Sequence, residues 1–81
     1  MMNEFIASMY QIRRAGRHVT GGLFNTAEEI FERIRGQRTG VYSVYREHPG
    51  GQGTGLASEF WGDVAHYGAG RISFEPSPPL N

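Results

Sequence analysis

Residues 10–36 read YQIRRAGRHVTGGLFNTAEEIFERIRG and predict two strands, joined by a tight turn and followed by a helix. Apolar and polar side chains alternate from Tyr10 to Arg14, as is typical of a strand with one buried face. Ala15–Gly16 predicts a two-residue hairpin turn, because glycine adopts positive φ at no steric cost. We expect the remaining segments to complete a sheet around this unit.

The return strand is predicted from Arg17 to Phe24. Strict alternation places His18 on the same face as Phe24, with Val19 on the opposite face. Gly21–Gly22 weakens the strand, and a glycine pair within a strand indicates a bulge or a close backbone approach. We therefore expect an irregularity at these glycines.

A short helix is predicted to follow the hairpin. Thr26 and Glu29 form a capping box, in which the hydroxyl accepts a hydrogen bond from a backbone amide and the carboxylate reaches back. Four apolar residues at i, i+3, i+4 and i+7 predict one buried stripe: Ala27, Ile30, Phe31 and Ile34. Glu29 is expected to pair with Arg33 one turn on, for about 0.3 kcal/mol, and Gly36 to end the helix. Because a helix of roughly ten residues is marginal alone, its stripe must pack on the sheet.

The second half of the chain predicts more strands. Val41 to Arg46 is rich in β-branched and aromatic residues and is a clear strand. His48 to Gly55 contains four glycines and a proline and predicts a mobile loop. Leu56 to Ala65 fits either a helical stripe or a strand, and a strand from Phe60 onward is favoured because Gly62 would weaken a helix. A last short strand is predicted at residues 71–75.

The predicted order is β-β-α-β-β-β, an α+β fold of two layers in which one helix packs on one face of an antiparallel β-sheet. We expect residues 1–75 to form a single domain and residues 76–81, PSPPLN, to form a flexible Pro-rich tail. A ferredoxin-like arrangement needs a second helix, and it becomes the alternative if residues 56–65 are helical.

Composition narrows the class of protein. The 81 residues include no cysteine, so neither a disulfide framework nor a thiolate nucleophile or metal site is possible. No apolar run approaches the roughly 18 residues of a membrane-spanning helix, and we expect a soluble protein of the cytoplasm. The eight basic residues are all arginine and balance eight acids. This balance differs from the strongly basic surface that most nucleic-acid-binding domains present.

No catalytic or metal-binding motif emerges from the sequence, and we expect no enzyme activity, no metal and no cofactor. The three histidines, His18, His48 and His66, have no partner at helical spacing, whereas a metal site needs convergent ligands. Gly50-Gly51-Gln52 resembles the GGQ signature of class I peptide release factors. That resemblance would make Gln52 the hydrolytic residue of a peptidyl-tRNA hydrolase-like protein, which is the third functional interpretation.

Residues 10–36 also resemble the strand–strand–helix unit of AP2-like arm-type DNA-binding domains. The resemblance rests on the Gly-Arg turn, the Gly-Gly-Leu-Phe strand end and the Thr-Ala-Glu-Glu helix start. It implies a nucleic-acid-binding module whose sheet enters the major groove, with contacts from Gln11, Arg13, Arg17 and Arg38. Arginine can bind guanine edges and phosphates, so the residue type fits. This is the alternative function.

The chain as a whole resembles the small proteins of phages and mobile elements, notably anti-CRISPR proteins, in being short, cysteine-free, α+β and without a catalytic motif. The resemblance implies a non-enzymatic inhibitor of the host cytoplasm that docks on a CRISPR effector complex, blocks target DNA binding and so evades host defence. Arginine and large aromatic side chains dominate protein interfaces. The candidate partner-binding residues are Arg13, Arg14, Arg17, Tyr45, Arg46 and Trp61.

Overall fold

The computed structural model describes residues 5–47 and 58–76. The elements are, in chain order, β1 (Ser8–Arg14), β2 (Arg17–Phe24), α1 (Ala27–Arg35), β3 (Gly40–Arg46), β4 (Glu59–Gly68) and β5 (Arg71–Pro76). The predicted order is confirmed. The ambiguous segment is a strand from Glu59 onward, so the second helix of a ferredoxin-like arrangement does not form there.

Two predicted segments differ from this description or fall outside it. Pro76, predicted as the first residue of the tail, is the last residue of β5, because proline is tolerated at the edge of a sheet. The predicted loop at residues 48–55 lies outside the described residues, as do residues 77–81 of the predicted tail.

The five strands form one antiparallel sheet in the order β2-β1-β3-β4-β5. The helix α1 lies across one face, where it packs against β2, β4 and β5. This is the predicted two-layer α+β fold. We call the side under α1 the helix face, which carries Tyr10, Ile12, Tyr42, Val44 and Val64. We call the opposite side the open face, which carries Gln11, Arg13, Ser43, Tyr45 and Asp63.

The core lies between α1 and the helix face. Ile30 and Ile34 of α1 are fully buried there, and Phe31 is partly buried at the edge of the same cluster. Burying an isoleucine side chain contributes about 1.5–3 kcal/mol. This contribution stabilises a helix of nine residues, which is too short to be stable in isolation.

The predicted cap of α1 forms with one difference. Thr26 Oγ1 accepts a hydrogen bond from the backbone N–H of Glu29 at 3.3 Å. The Glu29 carboxylate accepts a bond from the backbone N–H of Asn25 at 2.8 Å, one residue before the cap. The predicted pairing of Glu29 with Arg33 is wrong, because Arg33 turns toward the sheet and donates to Thr20 Oγ1 at 3.0 Å.

Strand β2 contains a bulge that the sequence pattern does not show. The register with β1 shifts so that Arg13 pairs with His18, and Val19 becomes the extra residue. Val19 packs against the core, whereas His18 joins Arg13 on the open face. The expected strict alternation is therefore wrong at this point. The expected close approach occurs at Gly21, where a Cβ would lie 2.8 Å from the backbone oxygen of Tyr10.

Both hairpins turn through an Ala–Gly pair. The φ angle is 53° at Ala15 and 79° at Gly16, and it is 52° at Ala69 and 74° at Gly70. Positive φ at both residues is the geometry of a type I′ turn, whose twist matches that of the flanking strands. The predicted turn at Ala15–Gly16 is confirmed, and the last hairpin repeats it.

Ile30→Ala is expected to lower the free energy of unfolding by about 2–5 kcal/mol, because it leaves a cavity between α1 and the sheet. Leu23→Ala is the matched control, since Leu23 is 65% exposed and its truncation should cost less than about 1 kcal/mol. Urea denaturation of both variants and of the unsubstituted chain measures the two changes. Equal losses would show that the packing of α1 does not stabilise the core.

Tyr10 links the stability of the fold to alkaline pH. Its side chain is 1% exposed, and its hydroxyl donates a hydrogen bond to the backbone oxygen of Ile6 at 2.7 Å. Burial raises the pKa of Tyr10 above its ordinary value of 10.0. The positive charge of Arg46 opposes this increase, and the negative charge of Glu59 adds to it. The folded chain therefore holds the phenol proton more tightly than the unfolded chain does.

The stability that Tyr10 contributes is complete below about pH 10 and is lost as the pH rises through the raised pKa. We expect the free energy of unfolding to fall as the pH rises above about 10, and to fall less steeply in Tyr10→Phe. Tyr67→Phe is the matched control, because Tyr67 is 59% exposed. Denaturation at several pH values measures the slopes. Identical slopes for Tyr10→Phe and the unsubstituted chain would contradict this role.

Candidate functional site

The pairing registers order the open face into rows, because antiparallel partners share a face of the sheet. The central row crosses all five strands and consists of His18, Arg13, Ser43, Asp63 and Glu75. The row on one side of it consists of Gln11, Tyr45 and Phe60, with Met9 and Leu23 beyond. The row on the other side consists of Val41, Ala65 and Ser73. The register thus joins residues from distant parts of the chain in one surface.

Arg13 and Tyr45 form the centre of this surface. The guanidinium carbon of Arg13 lies 5.1 Å from the centroid of the Tyr45 ring, which is cation–π geometry. The Tyr45 ring in turn contacts the Phe60 ring at a centroid distance of 5.4 Å. Arg13 Nη2 donates to Gln11 Oε1 at 3.0 Å, and Gln11 Nε2 donates to a Glu47 carboxylate oxygen at 2.8 Å. These contacts hold Arg13 in one orientation.

Negative charge collects on the β4–β5 side of the open face. Asp63 accepts a hydrogen bond from Ser43 Oγ at 2.8 Å. Glu75 is the direct cross-strand partner of Asp63, and like charges in opposite positions destabilise a sheet. Along the central row, the side chains change from His18 and Arg13 at one end to two carboxylates at the other. The central row of the open face therefore carries positive charge at its β1 end and negative charge at its β4–β5 end.

Exposed apolar side chains flank the central row. Met9 and Leu23 are cross-strand partners and are 39% and 65% exposed. On the opposite side of the row, Val41 is 58% exposed and Tyr67 is 59% exposed, and the Tyr67 hydroxyl lies 3.0 Å from Ser73 Oγ. Apolar side chains grouped on the surface of a small domain are typical of an interaction site.

The other predicted arginines do not join Arg13 and Tyr45. Arg14 and Arg46 occupy register positions of the helix face. Arg14 Nη2 donates to the backbone oxygen of Thr39 at 3.4 Å, and Arg46 forms an ion pair with Glu59 at 2.6 Å. Arg17 is exposed beside the β1–β2 turn, as the partner of Arg14. The structure therefore gathers two of the six predicted residues into one site.

Trp61 lies on the helix face. The register between β3 and β4 shifts beside it, which leaves Trp61 as the extra residue of a bulge between Phe60 and Gly62. Its ring stacks on Phe74 at a centroid distance of 4.5 Å and contacts Phe31 at 6.1 Å. Trp61 thus packs against the core and links α1 to the β4–β5 hairpin.

Sequence reasoning missed the apolar members of the open face: Met9, Leu23, Val41, Phe60 and Tyr67. A signal was present for four of them, because residues out of phase with the buried positions of a strand lie on its other face. Phe60 is the exception, because it is in phase with Val64 and reaches the open face only through the bulge at Trp61. Using that signal requires the register of all five strands. Bulges at Val19, Trp61 and Tyr67 change the register, and none of them is marked by the sequence of its own strand.

A groove beside α1 is a weaker candidate. It has a volume of about 560 Å³ and runs between α1 and the end of β2. Glu28 and Glu32 line it, and both accept hydrogen bonds from Arg35 Nη1. The bond to Glu28 is the main cause that raises the pKa of Arg35. The carboxylates of Glu28 and Glu32 are therefore already partnered by a side chain of the same helix.

The two histidines of the described residues, His18 and His66, do not form a common site. His18 is exposed on the open face, whereas His66 is buried and follows Val64 on the helix face. Within residues 5–47 and 58–76, no three His, Cys, Asp or Glu side chains are grouped so that they could hold a metal ion. His48 and Gln52 lie outside the described residues, so the GGQ interpretation stays a prediction.

The open face is the surface on which the central cation, the aromatic rings and the exposed apolar side chains meet. No protein-family model, curated protein or solved structure matches the chain. Over the described ranges, no helix is long and apolar enough to cross a lipid bilayer.

Proposed function

We propose that this chain is a small non-enzymatic binding protein that docks on a protein complex of its host through the open face. The observation that supports it is the Arg13–Tyr45–Phe60 cluster, which lies between exposed apolar side chains on the side of the sheet opposite α1. Arginine and tyrosine are enriched among the residues that contribute most to protein–protein affinity, and such residues lie near the centre of an interface.

The open face is suited to binding because its central side chains are ordered in advance. Arg13 is held by the side-chain amide oxygen of Gln11 and the ring of Tyr45. Binding restricts the motion of interface side chains, at a free-energy cost of about 0.5–1.5 kcal/mol for each flexible one. Since Arg13 is already restricted in the free chain, part of this cost is avoided when a partner binds.

The charges of the open face favour a protein partner. Arg13 and Arg71 lie on this side together with three carboxylates, those of Glu47, Asp63 and Glu75. A surface that grips the phosphate backbone needs an excess of positive charge. A surface that combines arginine, aromatic and apolar side chains with polar groups around them is instead typical of protein interfaces.

The partner that we propose is a CRISPR effector complex of the host, in keeping with the resemblance to anti-CRISPR proteins. Such a complex binds its target DNA in a positively charged channel. A compact domain docked beside or within that channel blocks DNA by occupying space. The mixed charge of the open face fits this steric mechanism, whereas imitation of DNA would need a strongly acidic surface.

A second candidate function is nucleic-acid binding in the manner of AP2-like domains. It is favoured by one observation: Gln11 and Arg13, two of the contacts implied by that resemblance, are hydrogen-bonded neighbours on the open face at 3.0 Å. The carboxylates of Glu47, Asp63 and Glu75 oppose it, because they would face the phosphates. Protein docking is therefore the first proposal.

Arg13→Glu is expected to weaken capture of the host complex by about tenfold or more, which corresponds to about 1.4 kcal/mol. Arg38→Glu is the matched control, because Arg38 is exposed and lies between α1 and β3, where its backbone oxygen accepts a hydrogen bond from the Tyr42 hydroxyl on the helix face. The tagged proteins are compared by pull-down from nuclease-treated host lysate, and the recovered complex is then assayed for target DNA binding. Circular dichroism checks that both variants are folded.

Three results would overturn the proposal. Equal capture by Arg13→Glu and the unsubstituted chain would remove the open face from the interface. Capture that disappears on nuclease treatment, and that weakens in Arg38→Glu as well, would favour the nucleic-acid-binding module. A recovered complex that binds target DNA as well with the chain as without it would refute the inhibition of DNA binding.

A further inference from the structure

Strand β5 has an unpaired outer edge within the described sheet, since the strand order ends there. An edge strand presents backbone N–H and C=O groups that are free to pair with another strand. The strand at the opposite edge, β2, is a poorer template because a bulge at Val19 and the pair Gly21–Gly22 interrupt it. The edge of β5 is the better place for a further strand.

The sequence of β5 is complementary to itself when two copies run antiparallel. Arg71 and Glu75 are equally distant from Ser73. If two copies pair about Ser73, Arg71 of each lies directly opposite Glu75 of the other. Ile72 of each lies opposite Phe74 of the other, so that apolar residues also face apolar residues. Opposite charges and apolar pairs in facing positions both stabilise an antiparallel pair of strands.

Two neighbouring carboxylates of one copy favour the approach of Arg71 from a second copy. Glu75 lies directly opposite Asp63 in its own sheet. Among the residues that the structure describes, neither carboxylate is in an ion pair. Arg71 of a second copy, placed opposite Glu75 on the same face, would bring a guanidinium beside this pair of like charges and relieve their repulsion.

The apolar side of β5 also has exposed surface that a second copy would cover. Phe74 remains 37% exposed although its ring is fixed against Trp61 at 4.5 Å and Phe31 at 5.6 Å. Ile72 of a second copy would cover part of that exposed ring. Pro76 has no backbone N–H and so ends the pairing after Glu75. The pairing is therefore limited to residues 71–75.

We infer that two copies of this chain associate through the outer edges of their β5 strands, with Ser73 on the two-fold axis, to form one continuous ten-stranded sheet. Antiparallel partners share a face, so the open faces of both copies lie on the same side of that sheet. The interface is small, and we expect it to form at micromolar rather than nanomolar concentration. This association uses a different surface from the docking of Arg13 and stands independently of the proposed function.

Charge exchange between the two positions tests the register. The dimer contains two symmetric pairs of positions 71 and 75. Arg71→Glu makes both pairs carboxylate against carboxylate, and Glu75→Arg makes both pairs guanidinium against guanidinium. Each variant alone is therefore expected to lose the dimer. A mixture of the two variants restores both opposite-charge pairs and is expected to form a heterodimer. The double variant Arg71→Glu/Glu75→Arg is expected to dimerise like the unsubstituted chain. Arg38→Glu is the control, because it reverses one charge away from β5.

Sedimentation velocity of the purified full chain, from micromolar to millimolar concentration, measures each of these states. We expect at least a tenfold weaker dimer for each single variant and near-complete recovery in the mixture. Folding of every variant is checked by circular dichroism, and recovery in the mixture also shows that both single variants are folded. A monomeric unsubstituted chain, single variants that dimerise normally or a mixture that stays monomeric would each overturn the inference.

Discussion

The burial of Ile30 and Ile34 against the helix face is the interaction on which the rest of the structure depends. A helix of nine residues does not persist alone, and a five-stranded sheet with two solvated faces would leave its apolar residues exposed to water. Each element thus needs the other. Because the one helix of the described chain covers one face of the sheet, the other face is left for a different use.

The division between the two faces follows from the alternation of side chains, which bulges interrupt at Val19, Trp61 and Tyr67. The bulge in β2 turns Val19 into the core, and the first bulge in β4 does the same for Trp61. The bulge at Trp61 has the larger effect, because Trp61 fills the space between α1 and Phe74. Trp61 is an aromatic residue of the kind enriched at interfaces, but here it packs between the β4–β5 hairpin and α1.

The parts of the fold that depend on neighbours in sequence could be predicted from the sequence. The turn at Ala15–Gly16 and the cap at Thr26 are of this kind, since each is decided by residues close together in the chain. The open face was harder to predict, because the contact of Arg13 with Tyr45 depends on the pairing of β1 with β3, which are far apart in sequence. The misplaced His18 and the missed role of Trp61 have the same cause. A bulge is a property of two paired strands, and the sequence of one strand does not contain it.

The return of β3 past β2 to pair with β1 has a consequence for how the chain folds. The β1–β2 and β4–β5 hairpins each close a two-residue turn and can form early, within microseconds. Pairing of β1 with β3 must instead close a loop that contains β2 and α1, and contacts between distant residues slow folding. Formation of α1 shortens that loop, because a helix spans less distance than an extended chain. We therefore expect the kinetic barrier to folding at the step in which β3 pairs with β1, once α1 has formed between β2 and β3. The strands β4 and β5 then add to a sheet that already exists.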